Sequence, residues 1–375
     1  MQAIVALVIF ILAFIASVVK AQTPAPSAQF IPIEGSTLNA KTDAAVRQGQ
    51  SKATRFWMAY SFDVRAGIAM DMDGYNSNNS FWVNGVSLGS NYETRNLGVF
   101  ILSEPDGSTI ARLEIYNLER KREYTGYPVY WLGRGSNDES LTFLKGIIEK
   151  QSDDRLKDRA TQAIALHDDK SVGGILKSLS LKNNPEKVRK TAIFWLGQVE
   201  GEREFLAGIV RDEQEPIEVR KQAAFGIGIS KDKAALQTLQ SLYSQVTPRE
   251  LKRQLIFATS INENKDAAVD FLINVASNDQ DRELRKQSMF WLGQKAGDRS
   301  LKYLTDVVEK TGEDTEVQKQ AVFAIGQRNK DEAIPLLIKI AKSHQNLAVR
   351  KQAIFWLGQS GDERALAFFK EVFAK

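Results

Sequence analysis

One eleven-residue pattern returns six times in the second half of this chain. The copies are VRKTAIFWLGQ (188–198), VRKQAAFGIGI (219–229), LKRQLIFATSI (251–261), LRKQSMFWLGQ (284–294), VQKQAVFAIGQ (317–327) and VRKQAIFWLGQ (349–359), and their starts lie 31 to 33 residues apart. A pattern recurring at that spacing dictates a stack of like units, because one unit cannot bury its apolar face alone. A weaker copy, LKDRATQAIAL, starts at Leu156, and a half-copy, VYWLGR, ends at Arg134. Between copies runs a second apolar-periodic segment that opens with an acid, as in DESLTFLKGII, DAAVDFLINVA and DERALAFFKEVF. Each repeat therefore reads as two helices of about three turns. The acids stand where they satisfy free backbone N–H groups. The glycine recurring at the tenth position suits a helix end.

Val188-Arg189…Ala192…Leu196-Gly197 and Val349-Arg350…Ala353…Leu357-Gly358 match, residue by residue, the opening of the second helix in the HEAT-repeat family. The chain resembles that family in its short bacterial form, the PBS-lyase HEAT-like repeat, over roughly two-thirds of its length. The resemblance implies a mainly α fold: an α-solenoid of seven helix pairs over residues 126–375, closed by a terminal helix at 362–373. It also implies that the second helices line the concave surface, and that the arginine at position two bonds to loop groups of the adjoining repeat.

Residues 51–125 have another character. Phe56, Met58, Tyr60, Phe62 and Val64 alternate with other residues, the period of a strand. Val99-Phe100-Ile101-Leu102, the turn signal Pro105-Asp106-Gly107, and Ile110, Leu113, Ile115 and Tyr116 read as a hairpin. A small antiparallel β-domain is expected here. Its TRFWMAYSFDVR stretch is similar to the front part of exported bacterial HEAT-repeat proteins of unassigned function. Residues 22–50, rich in Pro, Ala, Ser and Gln, read as a flexible linker. The apolar run at 3–19 with small residues near Ala21 reads as a signal peptide over 1–21. An uncleaved anchor is the competing reading, and only then is membrane contact expected. Either way the protein is expected outside the cytoplasm, periplasmic or extracellular.

Cysteine is absent and histidine occurs only as His167 and His344, which removes thiolate chemistry and most zinc chemistry. His167 falls just past a helix end and His344 in a link, so both are expected to be solvated or capping. Asp71, Asp73, Asn76 and Asn78 match a calcium loop poorly, lacking further acids and a distal Glu. No catalytic residue, cofactor or metal is expected. The net charge of +4 on an exported chain argues against nucleic acid.

On a helical wheel, positions 1, 5, 8 and 9 of the pattern point to the core. Positions 3 and 7 lie on roughly the opposite side and are i, i+4 neighbours. Position 3 is Lys190, Lys221, Arg253, Lys286, Lys319 and Lys351, and position 7 is Phe194, Phe225, Phe257, Phe290, Phe323 and Phe355. These twelve residues are the expected partner-binding set, a cationic and aromatic track for a protein or peptide partner of unknown identity. The alternative is that the rings pack between repeats. Trp131, Trp195, Trp291 and Trp356 read as packing, and the glutamines at position 4 as a structural amide ladder. A scaffold is thus expected rather than an enzyme. Relatives of this repeat include bilin lyases and deoxyhypusine hydroxylase, but the hydroxylase's repeated His-Glu pairs are missing here. A third reading places ligand binding in the β-domain, through Tyr60, Trp82 and Tyr92.

Overall fold

A computed structural model describes residues 30–375 except 71–80, 84–85, 89–93, 121, 123, 125, 296 and 375, with the side chains of strand residues 81–83 and 86–88 and of Phe373 also left aside. The 1–21 segment and the Asp71–Asn78 loop therefore lie outside the described residues. The chain divides into two compact units: one holds the residues up to Gln151 plus Leu166–Asp169, the other Ser152–Ala165 and Lys170–Lys375.

The first unit is built on a five-stranded sheet ordered β1-β8-β2-β6-β7, from β1 (Phe30–Pro32), β2 (Phe56–Ser61), β6 (Leu97–Ser103), β7 (Ile110–Asn117) and β8 (Val129–Arg134). β2, β6 and β7 pair antiparallel, and β6 and β7 form the expected hairpin. Asp106 stabilises its turn by accepting from the Ser108 and Thr109 N–H groups at 2.9 Å each. β8 pairs parallel with both β1 and β2, so the sheet is mixed rather than antiparallel. β3 (Ile68–Met70), β4 (Phe81–Val83) and β5 (Val86–Leu88) make a separate antiparallel sheet ordered β3-β5-β4.

Two expectations are corrected here. The half-copy VYWLGR is strand β8, not a helix: Tyr130, Trp131 and Leu132 are all buried, a two-faced burial that suits a strand next to the sheet centre. Residues 38–50 of the expected linker are helix α1 (Leu38–Gln50), capped by Thr37, whose side chain accepts from the Ala40 N–H at 3.1 Å. Leu38, Ala45 and Gly49 form its buried stripe, and Gly49 is needed because a Cβ there would lie 2.2 Å from the Phe56 ring. Helix α2 (Asn137–Lys150) completes the unit, its Glu139 carboxylate accepting from the Leu38 N–H at 3.0 Å. The unit thus reaches Gln151, beyond the boundary expected near residue 126.

The second unit starts with α3 (Asp154–Ala165) and continues as six helix pairs. These are α4 (Val172–Leu179) with α5 (Glu186–Leu196), α6 (Arg203–Arg211) with α7 (Ile217–Ile229), and α8 (Ala235–Gln245) with α9 (Arg249–Ser260). Then come α10 (Lys265–Asn278) with α11 (Arg282–Gly293), α12 (Asp298–Glu309) with α13 (Thr315–Gly326), and α14 (Lys330–Ser343) with α15 (Leu347–Gln359). The terminal helix α16 (Glu363–Phe373) packs on α14 and α15. The second helices α5, α7, α9, α11, α13 and α15 pack on one another in turn. Among the described residues, no helix is long and apolar enough to cross a membrane.

Several links end in an Asp that caps a following turn. Arg364 holds the Asp362 carboxyl at about 2, through its guanidinium and its backbone N–H. Asp314 is lowered mainly by the Glu316 N–H, and Asp232 by the Ala234 N–H and the Arg203 side chain. A carboxyl depressed in the fold contributes stability above its unfolded value near 4, and loses it as pH falls through its folded value. The melting temperature is therefore expected to drop between about pH 4 and pH 2, and Asp362→Asn should flatten part of that drop. Thermal melts across this range test it; an identical acid limb in wild type and variant contradicts it.

Candidate functional site

The candidate site is the face of the second helices, and the core sets where it lies. Val188, Ala192 and Leu196, and their counterparts Val219, Ala223, Ile227, Val349, Ala353 and Leu357, are at most 1% exposed. The tenth-position glycine stands at a helix end, as expected, and also serves these contacts. Gly197 is the C-cap of α5 with ordinary helical geometry, Gly293 and Gly326 are the last residues of α11 and α13, and Gly228 is the last but one of α7. A Cβ on Gly197 would meet the Gly226 carbonyl oxygen at 2.5 Å, one on Gly228 the Ala258 carbonyl oxygen at 2.7 Å, and one on Gly293 the Ala324 carbonyl oxygen at 2.6 Å. In each case the atom met belongs to position eight of the next repeat. Adjacent second helices come this close because position ten carries no side chain.

That close approach brings the position-7 rings into line. Phe194 stacks on Phe225 with centroids 6.1 Å apart, Phe225 on Phe257 at 6.0 Å, and Phe290 on Phe323 at 6.0 Å. Trp291 and Trp356 join the row, at 5.1 Å from Phe257 and from Phe323, and each also meets its own neighbour, Phe290 or Phe355, edge-on. The reading in which the phenylalanines pack between repeats is thus realised. The rings pack from repeat to repeat, Phe194 being buried, yet Phe225, Phe257, Phe290 and Phe323 keep partial exposure and Phe355 is 53% exposed. Trp195 and Trp131 are buried as expected, the latter in the sheet. Trp291 and Trp356 enter the ring row from position eight, which in the other copies is Trp195, Gly226, Ala258 or Ala324.

The position-3 cations flank this row but are mostly neutralised. Lys221 pairs with Glu218 at 2.8 Å, Lys319 with Glu316 at 2.9 Å, Lys286 with Glu283 at 3.5 Å and Lys190 with Glu186 at 3.5 Å, all on the same helix. Arg253 instead reaches the next repeat, donating to Gln287 Oε1 at 2.7 Å. Lys351 follows Ala348, where three other copies have the pairing Glu, and is exposed. The side chains of Glu218, Glu283 and Glu316 are more exposed than those of their lysines, so the face presents Glu–Lys pairs beside rings rather than bare positive charge.

Position 2 is structural, as expected. Arg189 donates from Nε to the Ser180 carbonyl at 2.9 Å and pairs with Glu215 in the following link. Arg285 pairs with Glu313 at 2.8 Å, and Gln318, at the same position, donates to the Val308 and Lys310 carbonyls. Arg220 donates to the Val210 carbonyl of its own repeat. The expected amide ladder is not what holds position 4: Gln287 accepts from Arg253 instead of from a neighbouring glutamine.

His167 is corrected from solvated to buried. It belongs to the first unit, 1% exposed, stacks on Phe62 at 4.2 Å and bonds the Ser140 hydroxyl at 2.8 Å. Tyr60 bonds the same hydroxyl at 2.9 Å, and its complete burial pushes its pKa up from the ordinary phenol value. A ring so enclosed has no surface for a ligand, and the side chains of Trp82 and Tyr92 lie outside the described residues. His344 caps as expected: its Nδ1 accepts from the Asn346 N–H at 3.1 Å, while Nε2 lies 2.9 Å from the Val308 carbonyl.

Comparison with known proteins fits the repeat architecture. The HEAT-repeat family matches residues 308–375. No curated protein matches the chain. Among solved structures, human deoxyhypusine hydroxylase in complex with glycerol is 15% identical, spanning 62% of this chain and 90% of that one, with a TM-score of 0.29. YibA of Escherichia coli is 17% identical over 60% of this chain and 82% of its own, with a TM-score of 0.34. The CpcE–CpcF complex of phycocyanin lyase from Nostoc is 15% identical over 67% and 97%, with a TM-score of 0.31. A hydroxylase and a lyase stand among these neighbours, so the expectation that such a chain is no enzyme is corrected: this architecture does not separate scaffolds from enzymes. At this remove they assign no activity here.

Proposed function

We propose that this HEAT-repeat chain is an exported scaffold that holds a protein or peptide partner against the face of its second helices. The observation that carries the reading is the partly exposed ring row spanning α5 to α15, flanked by Glu–Lys pairs. Aromatic surface supplies most of the affinity in such contacts, and paired charges at its edge set orientation and encounter rate. The chemistry favours an extended segment with apolar side chains and charges of both signs, rather than the purely acidic partner that bare lysines suggest. Export rests on the apolar run at 3–19.

Combined Lys221→Glu, Lys286→Glu and Lys319→Glu leaves each pairing acid facing a like charge and turns the flank acidic. Capture of the partner from envelope extract is expected to weaken by about tenfold, or ~1.4 kcal/mol. The fold should survive, since exposed pairs of this kind contribute under about 1 kcal/mol each. Capture that stays unchanged while circular dichroism shows an intact fold contradicts the reading.

A further inference from the structure

Five of the second helices carry a glutamine three residues before the ring: Gln222, Gln254, Gln287, Gln320 and Gln352. On a helix that spacing puts each amide beside its own phenylalanine. Gln287 is engaged by Arg253. Gln222, Gln254, Gln320 and Gln352 are partly exposed, and among the described residues their side-chain amides have no hydrogen-bond partner. Four residues past the ring, on its other side along the helix, Gln294 and Gln327 are exposed and their side-chain amides are equally unengaged. The ring row thus runs between two lines of amides. Where the rings stack directly, their planes lie within 5–19° of each other. The stacked faces therefore cover one another, and ring edges are what the row leaves for a partner.

We propose that the occupant of this face is an extended peptide segment held by its backbone, an inference that rests on the scaffold reading and names its partner class. A strand laid along the row with every second side chain on the rings repeats every ~6.6 Å. Directly stacked rings repeat every 6.0–6.1 Å. The N–H and C=O groups of such a strand point sideways, those of alternate residues to opposite edges, and the two lines of amides stand on those sides. A glutamine amide carries both donors and an acceptor, so one side chain can serve both backbone groups of one guest residue. These bonds read no side chain, and the other half of the guest's side chains points to solvent, so the face tolerates many sequences. Charge complementarity favours the same guest. Lys190, Lys221, Lys286 and Lys319 are each neutralised by a Glu of their own helix, which suits the uncharged dipoles of a peptide backbone better than a polyanion. A helical guest satisfies its own backbone and leaves the amides unused. A glycan would also use amides, but its C–H groups seek the electron-rich faces of aromatic rings, and here the stacked faces are turned to one another.

Fluorescence anisotropy on the full chain tests this. The probe is a labelled synthetic peptide of about ten residues, two per ring from Phe225 to Phe355, in which apolar residues alternate with serine, lysine and glutamate. Two twins carry N-methyl groups on its odd or on its even residues. The unmodified peptide is expected to bind. Combined Gln222→Leu, Gln254→Leu and Gln320→Leu should raise its dissociation constant by about tenfold, the scale of two lost neutral hydrogen bonds, with an unchanged helical circular dichroism spectrum. One twin, blocked on the edge that meets these glutamines, should bind wild type and variant alike, while the other still tells them apart. Peptide binding that ignores both the glutamines and the N-methyl groups overturns the inference and leaves the scaffold reading standing. An N-acetylglucosamine oligosaccharide bound in place of the peptide overturns it too, as does a peptide that fails to bind at its highest soluble concentration. Whether the face holds any protein partner is read separately, by the capture experiment with the Lys→Glu variant.

Discussion

Gly293→Ala is expected to destabilise the helical unit by about 3 kcal/mol, the upper end of what overpacking costs. The added methyl would lie 2.6 Å from the Ala324 carbonyl oxygen and 2.9 Å from its Cα, closer than real Cβ contacts come. Both obstacles are backbone atoms of α13, so no flexible side-chain tip can move aside. Relief requires α11 and α13 to separate, and that separation disturbs the rings of Phe290 and Phe323, which stack across the same junction. Gly208→Ala is the control. Gly208 lies within α6 with nothing near its Cβ direction, and the substitution should stabilise by about 0.5–1 kcal/mol through helix propensity alone. Urea unfolding of the two variants separates these signs; a neutral Gly293→Ala contradicts the close approach.

Arg189→Ala is expected to cost more, about 3–5 kcal/mol, because it breaks a buried pair from one side. The Arg189 side chain is 6% exposed and that of Glu215 is 7%. Truncation leaves the Glu215 carboxylate without its main counter-charge, and the Ser180 carbonyl without its Nε donor. Lys182, 3.8 Å from the other Glu215 oxygen, compensates only in part. Removing both partners, as Arg189→Ala with Glu215→Ala, should recover some of the loss, since no charge is then left stranded. Denaturant titration of the single and double variants makes the comparison. A double variant as damaged as the sum of the two singles contradicts the coupling.

The sequence displays the helical unit openly and the first unit poorly, for physical reasons. Six copies of one pattern fix helix phase, spacing and core at Val188, Ala192 and Leu196 and their equivalents, so the helix pairs appear where the pattern puts them. VYWLGR misleads because Trp-Leu-Gly is shared with that pattern. What makes it a strand is its pairing with β1 and β2, neither of which is local to it in sequence. α1 is hidden for the opposite reason: past Leu38 at its first position, its buried residues are Ala45 and Gly49, too small to give an apolar signal. At the candidate site the identity of positions 3 and 7 was legible, as was their nearness. The neutralising role of Glu218, Glu283 and Glu316 is also written in the i, i+3 spacing. The stacking of rings between repeats was not legible, since it depends on how closely the tenth-position glycines let the helices approach.

The proposed scaffold function seats a partner against the ring row. Phe257 lies mid-row between Phe225 and Trp291, partly exposed, whereas Gln237 is exposed on the first helix α8. A photoreactive phenylalanine analogue at position 257, and in a second preparation at 237, each irradiated in envelope extract, tests the claim most directly. The account predicts a discrete covalent adduct at 257 that is absent at 237. Adducts at 237 alone, or the same adducts at both positions, would contradict it.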